Sequence, residues 1–327
     1  MAQNRPDVNS HQAEIDEFIN DVRENRTRGL ARVLSMVENG HPSSSKILHS
    51  LYNPDRLART IGVTGPPGAG KSTLVNLLID YWRKLDRNVG VIAVDPSSPF
   101  SGGALLGDRV RMQTHASDPG VFIRSMGSRG HLGGLSGATR DALEILIAGS
   151  YDPVLIETVG VGQAEVEVAS LADITLLVLV PGLGDEVQTM KAGIMEIADV
   201  IVLNKADRTG IEQLEAAVNN SLEFVDDQAA RPPVIRCSAK TGEGIDNLTR
   251  TVDSLLSSDI DCMDNLKRRT TLILNGIIRE KGSELAEKLI SEKYGSINGA
   301  IESVLSGETT PYMIGEMFSE FLEGTQE

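Results

Sequence analysis

An α/β fold built on a mostly parallel central sheet is predicted by three features of this 327-residue sequence. From Thr60 onward, short aliphatic runs alternate with helical segments. The runs are continuously apolar rather than alternating, as expected for strands covered by helices on both faces. A glycine-rich turn separates the first run from the first helix, at the strand end where such sheets place their ligands.

The elements follow in order. Residues 13 to about 56 read as helical, with Ile15, Phe18, Ile19 and Val22 at helical spacing, then Leu30, Val33, Leu34 and Val37, until Gly40 and Pro42 stop the pattern. The strand candidates are Thr60–Val63, Val89–Val94, Val121–Ile123, Val154–Ile156, Ile174–Val180, Val200–Leu203 and Val234–Arg236. Helices are expected at Ser72–Leu85, Ala138–Ala148, Glu186–Ile197 and Ile211–Phe224. Beyond Leu255 the strand pattern ceases. A long charged helix is expected over Asp261–Glu292, striped by Leu274, Ile277, Ile278, Leu285 and Leu289, with shorter ones at Ile297–Leu305 and Tyr312–Leu322. The chain thus divides into an N-terminal helical extension (1–56), an α/β domain (57–258) and a C-terminal helical region (259–327).

Forty-six acidic and 31 basic residues leave a net charge of −15, which argues against nucleic acid or an anionic membrane as a general partner. Two cysteines, 237 and 262, make no disulfide framework and point to a reducing compartment. The N-terminus has no apolar core of a secretion signal, and no apolar run reaches spanning length. A cytoplasmic location is the expectation.

The turn after the first strand reads Gly65-Pro66-Pro67-Gly68-Ala69-Gly70-Lys71-Ser72-Thr73, a complete G-x-x-x-x-G-K-[ST]. Its glycines let successive backbone N–H groups face phosphate oxygens, and the following helix adds the positive end of its dipole. Lys71 brings a cation to the β- and γ-phosphates, and Ser72 a hydroxyl to Mg²⁺. This is the phosphate loop of a P-loop NTPase. The fourth strand ends in Ile156-Glu157-Thr158-Val159-Gly160, where a carboxylate can hold Mg²⁺ directly or through water. Glu157 stands where most GTP switches carry Asp. Asp95 closes the second strand and Asp108 follows in a Gly/Pro/Ser-rich segment, so both are candidate Mg²⁺ or water-positioning groups. Turn formation and helix capping are their alternatives.

The sixth strand ends in Asn204-Lys205-Ala206-Asp207, an N-K-x-D sequence. A carboxylate at Asp207 accepts from guanine N1–H and the 2-amino group together, a donor pair that adenine lacks. The seventh strand ends in Cys237-Ser238-Ala239-Lys240, where a backbone N–H can reach the guanine carbonyl. The three motifs in this order specify GTP and GDP with Mg²⁺. Gln163 lies three residues after Gly160 and is open between orienting water and plain surface polarity. Asp185, Glu186 and Lys191 suit a capped helix start equally well. His115 and His131 are isolated. Arg109, Arg111, Arg124 and Arg129 face a choice between phosphates and the many acids, with the acids the simpler partners.

The ordered strings GPPGAGKST, VDPSSPFSGGALLGDRVRM, FIRSMGSRGHLGG, ETVGVGQ-x-E, NKAD and SAKTGEG resemble the methylmalonyl-CoA mutase-associated GTPases, the MeaB or ArgK type, from about Ile61 to Ile245. The resemblance implies a homodimeric GTPase in which hydrolysis gates adenosylcobalamin delivery to an acyl-CoA mutase and helps replace damaged cofactor. It implies that Asp95, Asp108 and Glu157 are the Mg²⁺-site acids and that the segment near Pro181–Lys191 is a mobile element that contacts the mutase. The C-terminal helices, too few to form a core alone, are expected to pack on the main domain or, in dimerisation, on a second copy of it. Where the family commonly has Ser after ETVGVGQ, this chain has Ala164. Two other classes stay open: a kinase of a basic amino acid or protein, and a metallocentre-assembly GTPase. The latter needs Cys/His clusters, whereas Cys237 and Cys262 are far apart and unpaired in sequence.

Overall fold

The computed structural model describes residues 8–55, 58–95, 113–115, 117–127, 137–158, 164–182, 195–223, 231–257 and 262–324. It divides into two compact units, one running to Arg269 and one from Thr270 onward.

The first unit is built on strands β1 (Thr60–Thr64), β2 (Val89–Asp95), β3 (Val121–Gly127), β4 (Val154–Thr158), β5 (Ile174–Leu179), β6 (Val200–Leu203) and β7 (Val234–Arg236). They pair throughout in parallel, in the order β3-β2-β4-β1-β5-β6-β7. Strands β2 to β4 lie on one side of β1 and β5 to β7 on the other. Whatever follows β1 therefore sits where the two halves of the sheet diverge, the usual ligand crevice of such folds. All seven expected strands are present, and β3 runs four residues beyond the Ile123 end expected for it.

Burial explains the continuous aliphatic runs. Every residue of β1, β4, β5 and β6 is buried. One face carries Val63, Leu176 and Val178 against helix α4 (Lys71–Lys84) and helix α8 (Ile245–Ser257), with Leu78, Trp82, Leu248 and Val252 filling the space between. On the other face, Leu177, Leu179, Ile201 and Leu203 pack on helix α7 (Ile211–Leu222). Gly62 allows close approach of helix α6 (Ala164–Leu171): a Cβ there would stand 2.7 Å from Cγ1 of Val168. That helix has no counterpart in the expected elements.

Three aspartates fix the lower edge of the sheet. Asp152 accepts the backbone N–H of Arg59 at 2.9 Å, Asp173 that of Thr60 at 2.7 Å and Asp199 that of Thr175 at 2.7 Å. Each precedes a strand and bonds the neighbouring one, so these side chains set how the strand starts align.

The N-terminal extension folds as α1 (Val8–Arg23), α2 (Thr27–Glu38) and α3 (Ser44–Leu51). The stretch expected as one helix up to Gly40 is broken after Arg23, where Asn25 takes a left-handed φ of 54°. The apolar stripes are buried as their spacing predicts, with Val22, Leu30, Val33 and Leu34 at 0% exposure. These helices pack on helix α5 (Gly137–Ala148) within the first unit. Arg124 of β3 pairs with Glu38 and donates to Ser35 Oγ at 3.1 Å, so this arginine takes an acid as its partner.

Helix α9 (Cys262–Tyr294) crosses the boundary between the two units. Near its start Arg269 Nε lies 3.2 Å from the mostly buried Glu144, and Arg268 donates to the Ala172 carbonyl. The second unit holds the rest of α9, α10 (Ile297–Leu305) and α11 (Pro311–Gly324). Ser296 caps α10 by accepting from the Gly299 N–H at 3.1 Å. In this unit large apolar side chains stay exposed: Leu274 and Ile278 on α9, then Leu305 and Tyr312. Of the helix expected at Glu186–Ile197, residues 186–194 lie outside the described residues, and Met195–Ile197 form a 3₁₀ turn. No described helix is long and apolar enough to cross a membrane.

Candidate nucleotide site

The loop from Gly65 to Gly70 leaves the C-terminal end of β1 and runs into α4. Two of its glycines are required sterically. Gly65 has φ of 136°, and a Cβ there would stand 2.2 Å from the Val178 carbonyl oxygen. Gly70 has φ of 89°, and a Cβ there would stand 2.6 Å from Asn204 Nδ2. A side chain at either place would break the loop geometry as well as strain the backbone.

Lys71 opens α4 and is 5% exposed. Its ammonium donates to the carbonyls of Gly65 at 2.6 Å and Pro66 at 2.9 Å. The charge is thereby held over the concave side of its own loop, beside the positive end of the helix. Ser72 Oγ donates to Glu157 Oε1 at 2.6 Å, and Glu157 is buried. A hydroxyl and a carboxylate in contact at the edge of a phosphate loop form a set of hard oxygen donors, which fits Mg²⁺. Below them, Thr158 Oγ1 lies 3.3 Å from Thr64 Oγ1, joining the strand ends that carry Glu157 and Gly65.

Asp95 ends β2 beside the end of β4, where Val94 pairs with Thr158. Its side chain, like Asp108, Gln163, Asp185, Glu186 and Lys191, lies outside the described residues, as do His131, Arg109, Arg111 and Arg129. His115 is buried, its Nε2 3.8 Å from Asp80 on α4.

On the other side of β1, Asn204 joins three segments. Its Nδ2 donates to the Ala69 carbonyl at 2.7 Å, and its Oδ1 accepts from the backbone N–H of Lys205 at 2.8 Å and of Ala239 at 3.0 Å. Lys205, with a left-handed φ of 60°, reaches back to the Gly68 carbonyl at 2.6 Å. Asp207 is exposed, and its Oδ1 accepts from Ser238 Oγ at 2.7 Å. That hydrogen bond, with Lys240 and Arg208 nearby, holds the Asp207 carboxyl below its ordinary range. Asp207 is thus presented as an ionised acceptor at the surface, as reading paired N–H donors requires.

The residues 65–73, 204–207 and 238–240 therefore converge at one edge of the sheet, with Glu157 bonded to Ser72 beside them. The tie from Asn204 to Ala69 is invisible to motif spacing, because 135 residues separate the pair. Cys237 is fully buried beneath this turn, 3.8 Å from Asn204 Oδ1, and burial pushes its thiol up to about 12. Its position is that of a packing residue.

The sequence profile described as "Methylmalonyl Co-A mutase-associated GTPase MeaB" matches residues 30–282. A Pyrococcus horikoshii protein named as a GTPase is 43% identical over 95% of this chain and 99% of its own length. The GTPase ArgK of Escherichia coli is 38% identical over 74% of this chain and 76% of its own. Among solved structures, a LAO/AO transport system kinase superposes with a TM-score of 0.67 at 26% identity, covering 95% of this chain and 98% of that one.

Proposed function

The chain belongs to the family of methylmalonyl-CoA mutase-associated GTPases and is a GTPase, and from that membership we propose a chaperone role. In this reading it gates adenosylcobalamin delivery to an acyl-CoA mutase of the methylmalonyl-CoA type, and protects or reactivates that enzyme. The observation that carries the guanine-nucleotide part is the direct bonding of the base-reading turn to the phosphate loop through Asn204 and Lys205.

The site residues take these roles. The backbone of 65–73 and Lys71 bind the phosphates, and Asp207 reads guanine with Asn204, Lys205 and the segment Ser238–Lys240. Ser72 and Glu157 would hold Mg²⁺, with Asp95 and Asp108 as further ligands. When bound, the metal supplies charge that offsets what develops on the transferred phosphoryl group. Lys71 adds its own cation on the same oxygens, and the loop excludes water from one side of them.

The exposed Leu274, Ile277 and Ile278, at helical spacing on α9, support a second copy of this chain as partner. The scarcity of cysteine, two in 327 residues, supports a reducing compartment and with it a cytoplasmic location.

The test is GTP turnover with and without the cognate mutase, beside pull-downs in GDP and GTP-analogue states. Acceleration by the mutase and a nucleotide-dependent complex are expected, reduced by charge reversal at Lys191 or Asp185. No acceleration and no complex in any state would remove the mutase from the reading. The name of the solved kinase relative favours a second reading, phosphoryl transfer to a basic substrate. γ-Labelled GTP separates the two, since the label ends in inorganic phosphate or on the acceptor. A metallocentre-assembly role would instead require specific binding of a transition metal.

A further inference from the structure

Asp253 lies on α8, about 12 Å along the helix from its start at Ile245. Its carboxylate accepts from Tyr81 Oη at 2.7 Å and from Trp82 Nε1 at 3.1 Å, both near the C-terminal end of α4. Arg87 Nη1 lies 3.5 Å from the same carboxylate. Trp82 is fully buried, and it is the single tryptophan of the chain. A carboxylate with three donors from one facing segment is costly to place beside an aliphatic interface unless all are satisfied together.

The two helices tied here begin at the two halves of the nucleotide site. α4 starts with Lys71 and Ser72 of the phosphate loop, and α8 starts directly after the base-side loop 238–244. That loop is closed on itself by Ser238 N–H to Glu243 O at 2.9 Å and Gly242 N–H to Ser238 O at 2.8 Å. It runs into the helix through Leu248 N–H to Gly244 O at 3.0 Å, so loop and helix are bonded in continuity. At the nucleotide end Asn204 joins the phosphate loop to Ala239. At the opposite end Asp253 joins α8 to α4.

We propose that Asp253 is a positioning residue for guanine-nucleotide binding: its bonds to Tyr81 and Trp82 set the separation between the phosphate loop and the base-side loop that a nucleotide must span. The inference rests on the guanine-nucleotide reading of the site. A ligand contacting both loops feels that separation, whereas a ligand contacting one loop does not. Preorganised spacing enters the affinity of the two-ended ligand alone.

The experiment measures displacement of a fluorescent GDP analogue by GDP, guanosine and pyrophosphate, for the unmodified chain, Asp253→Ala and Tyr81→Phe. Trp82 emission is recorded in parallel. Losing these bonds is expected to weaken GDP about tenfold in Asp253→Ala and less in Tyr81→Phe. Guanosine and pyrophosphate should hold within about twofold, since each reads one loop. The Trp82 response to GDP should shrink in step with the GDP loss. A purely structural role would lower the amount of competent protein and move all three ligands together. Unchanged GDP affinity in both variants, or parallel loss of all three ligands, overturns the proposal. Should Asp253→Ala not fold, Tyr81→Phe keeps the partly buried ring and decides alone. Failure of the unmodified chain to bind GDP would overturn the site reading itself.

Discussion

Asn204 Nδ2 donates to the Ala69 carbonyl at 2.7 Å, so the N-K-x-D turn proposed to read the base and the glycine-rich loop proposed to hold the phosphates share a hydrogen bond. Asn204 is 1% exposed, and its Oδ1 is occupied as fully as its amide nitrogen. The amide orientation is therefore determined by its partners, and the two halves of the site are built as one object.

Asn204→Ala should damage both stability and binding. It leaves the Ala69 carbonyl and the Ala239 N–H without their partner, a cost of about 1–3 kcal/mol for buried groups. Urea unfolding should show the loss, and GDP affinity should fall with it. Asn204→Ala with unchanged stability would mean that water replaces the amide at no cost.

Asp207→Asn should transfer preference from GTP to xanthosine triphosphate, because the amide offers a donor where the carboxylate accepted. Discrimination at a site built on paired hydrogen bonds reaches about 10⁴-fold. Competition between the two nucleotides measures it.

The bond from Ser238 holds the Asp207 carboxyl below its ordinary range, so guanine binding should survive to lower pH than an ordinary carboxylate allows. Ser238→Ala removes the largest cause of that shift. Its GDP affinity should begin to fall at a higher pH than that of the unmodified chain. Coincident pH profiles would show that the hydroxyl does not matter to the carboxylate.

Lys71→Ala should reduce GTP turnover by roughly 10²–10³-fold or more, the scale of removing one charge from a preorganised phosphoryl-transfer site. Glu157→Gln should mainly raise the Mg²⁺ concentration needed for half-maximal turnover. Full activity in the Lys71 variant would place the chemistry elsewhere.

Stability should change with pH through Asp173. Burial raises its carboxyl above the usual value, and the N–H and hydroxyl of Thr60 only partly offset that. A raised acid binds its proton more tightly when folded. Its contribution is complete below the unfolded value and is lost as pH rises through the folded one. Asp173→Asn, which can still accept from Thr60, should match the unmodified chain at about pH 3, below the unfolded value, and exceed its stability at neutral pH. Denaturant midpoints across that range provide the measurement.

The strands, the glycine-rich loop and the N-K-x-D motif are legible in the primary structure alone. Continuous aliphatic runs have few uses other than a doubly covered strand, and the glycine spacing encodes a backbone path that few residues can take. Helical spacing also determined that the apolar stripes of the N-terminal helices are buried. Tertiary structure decided the rest, wherever a partner comes from a distant segment. Helix α6 was hidden because Ala164–Leu171 alternates apolar and polar residues along part of its length, and its place follows from the gap above Gly62. The choice of acid for Arg124 required α2 to fold against β3. The contacts of Asn204 with Ala69, of Ser72 with Glu157 and of Asp253 with Trp82 join residues brought together only when the sheet orders its strands. Local pattern specifies a backbone path, but a side chain's partner is set by which strand lies next to which.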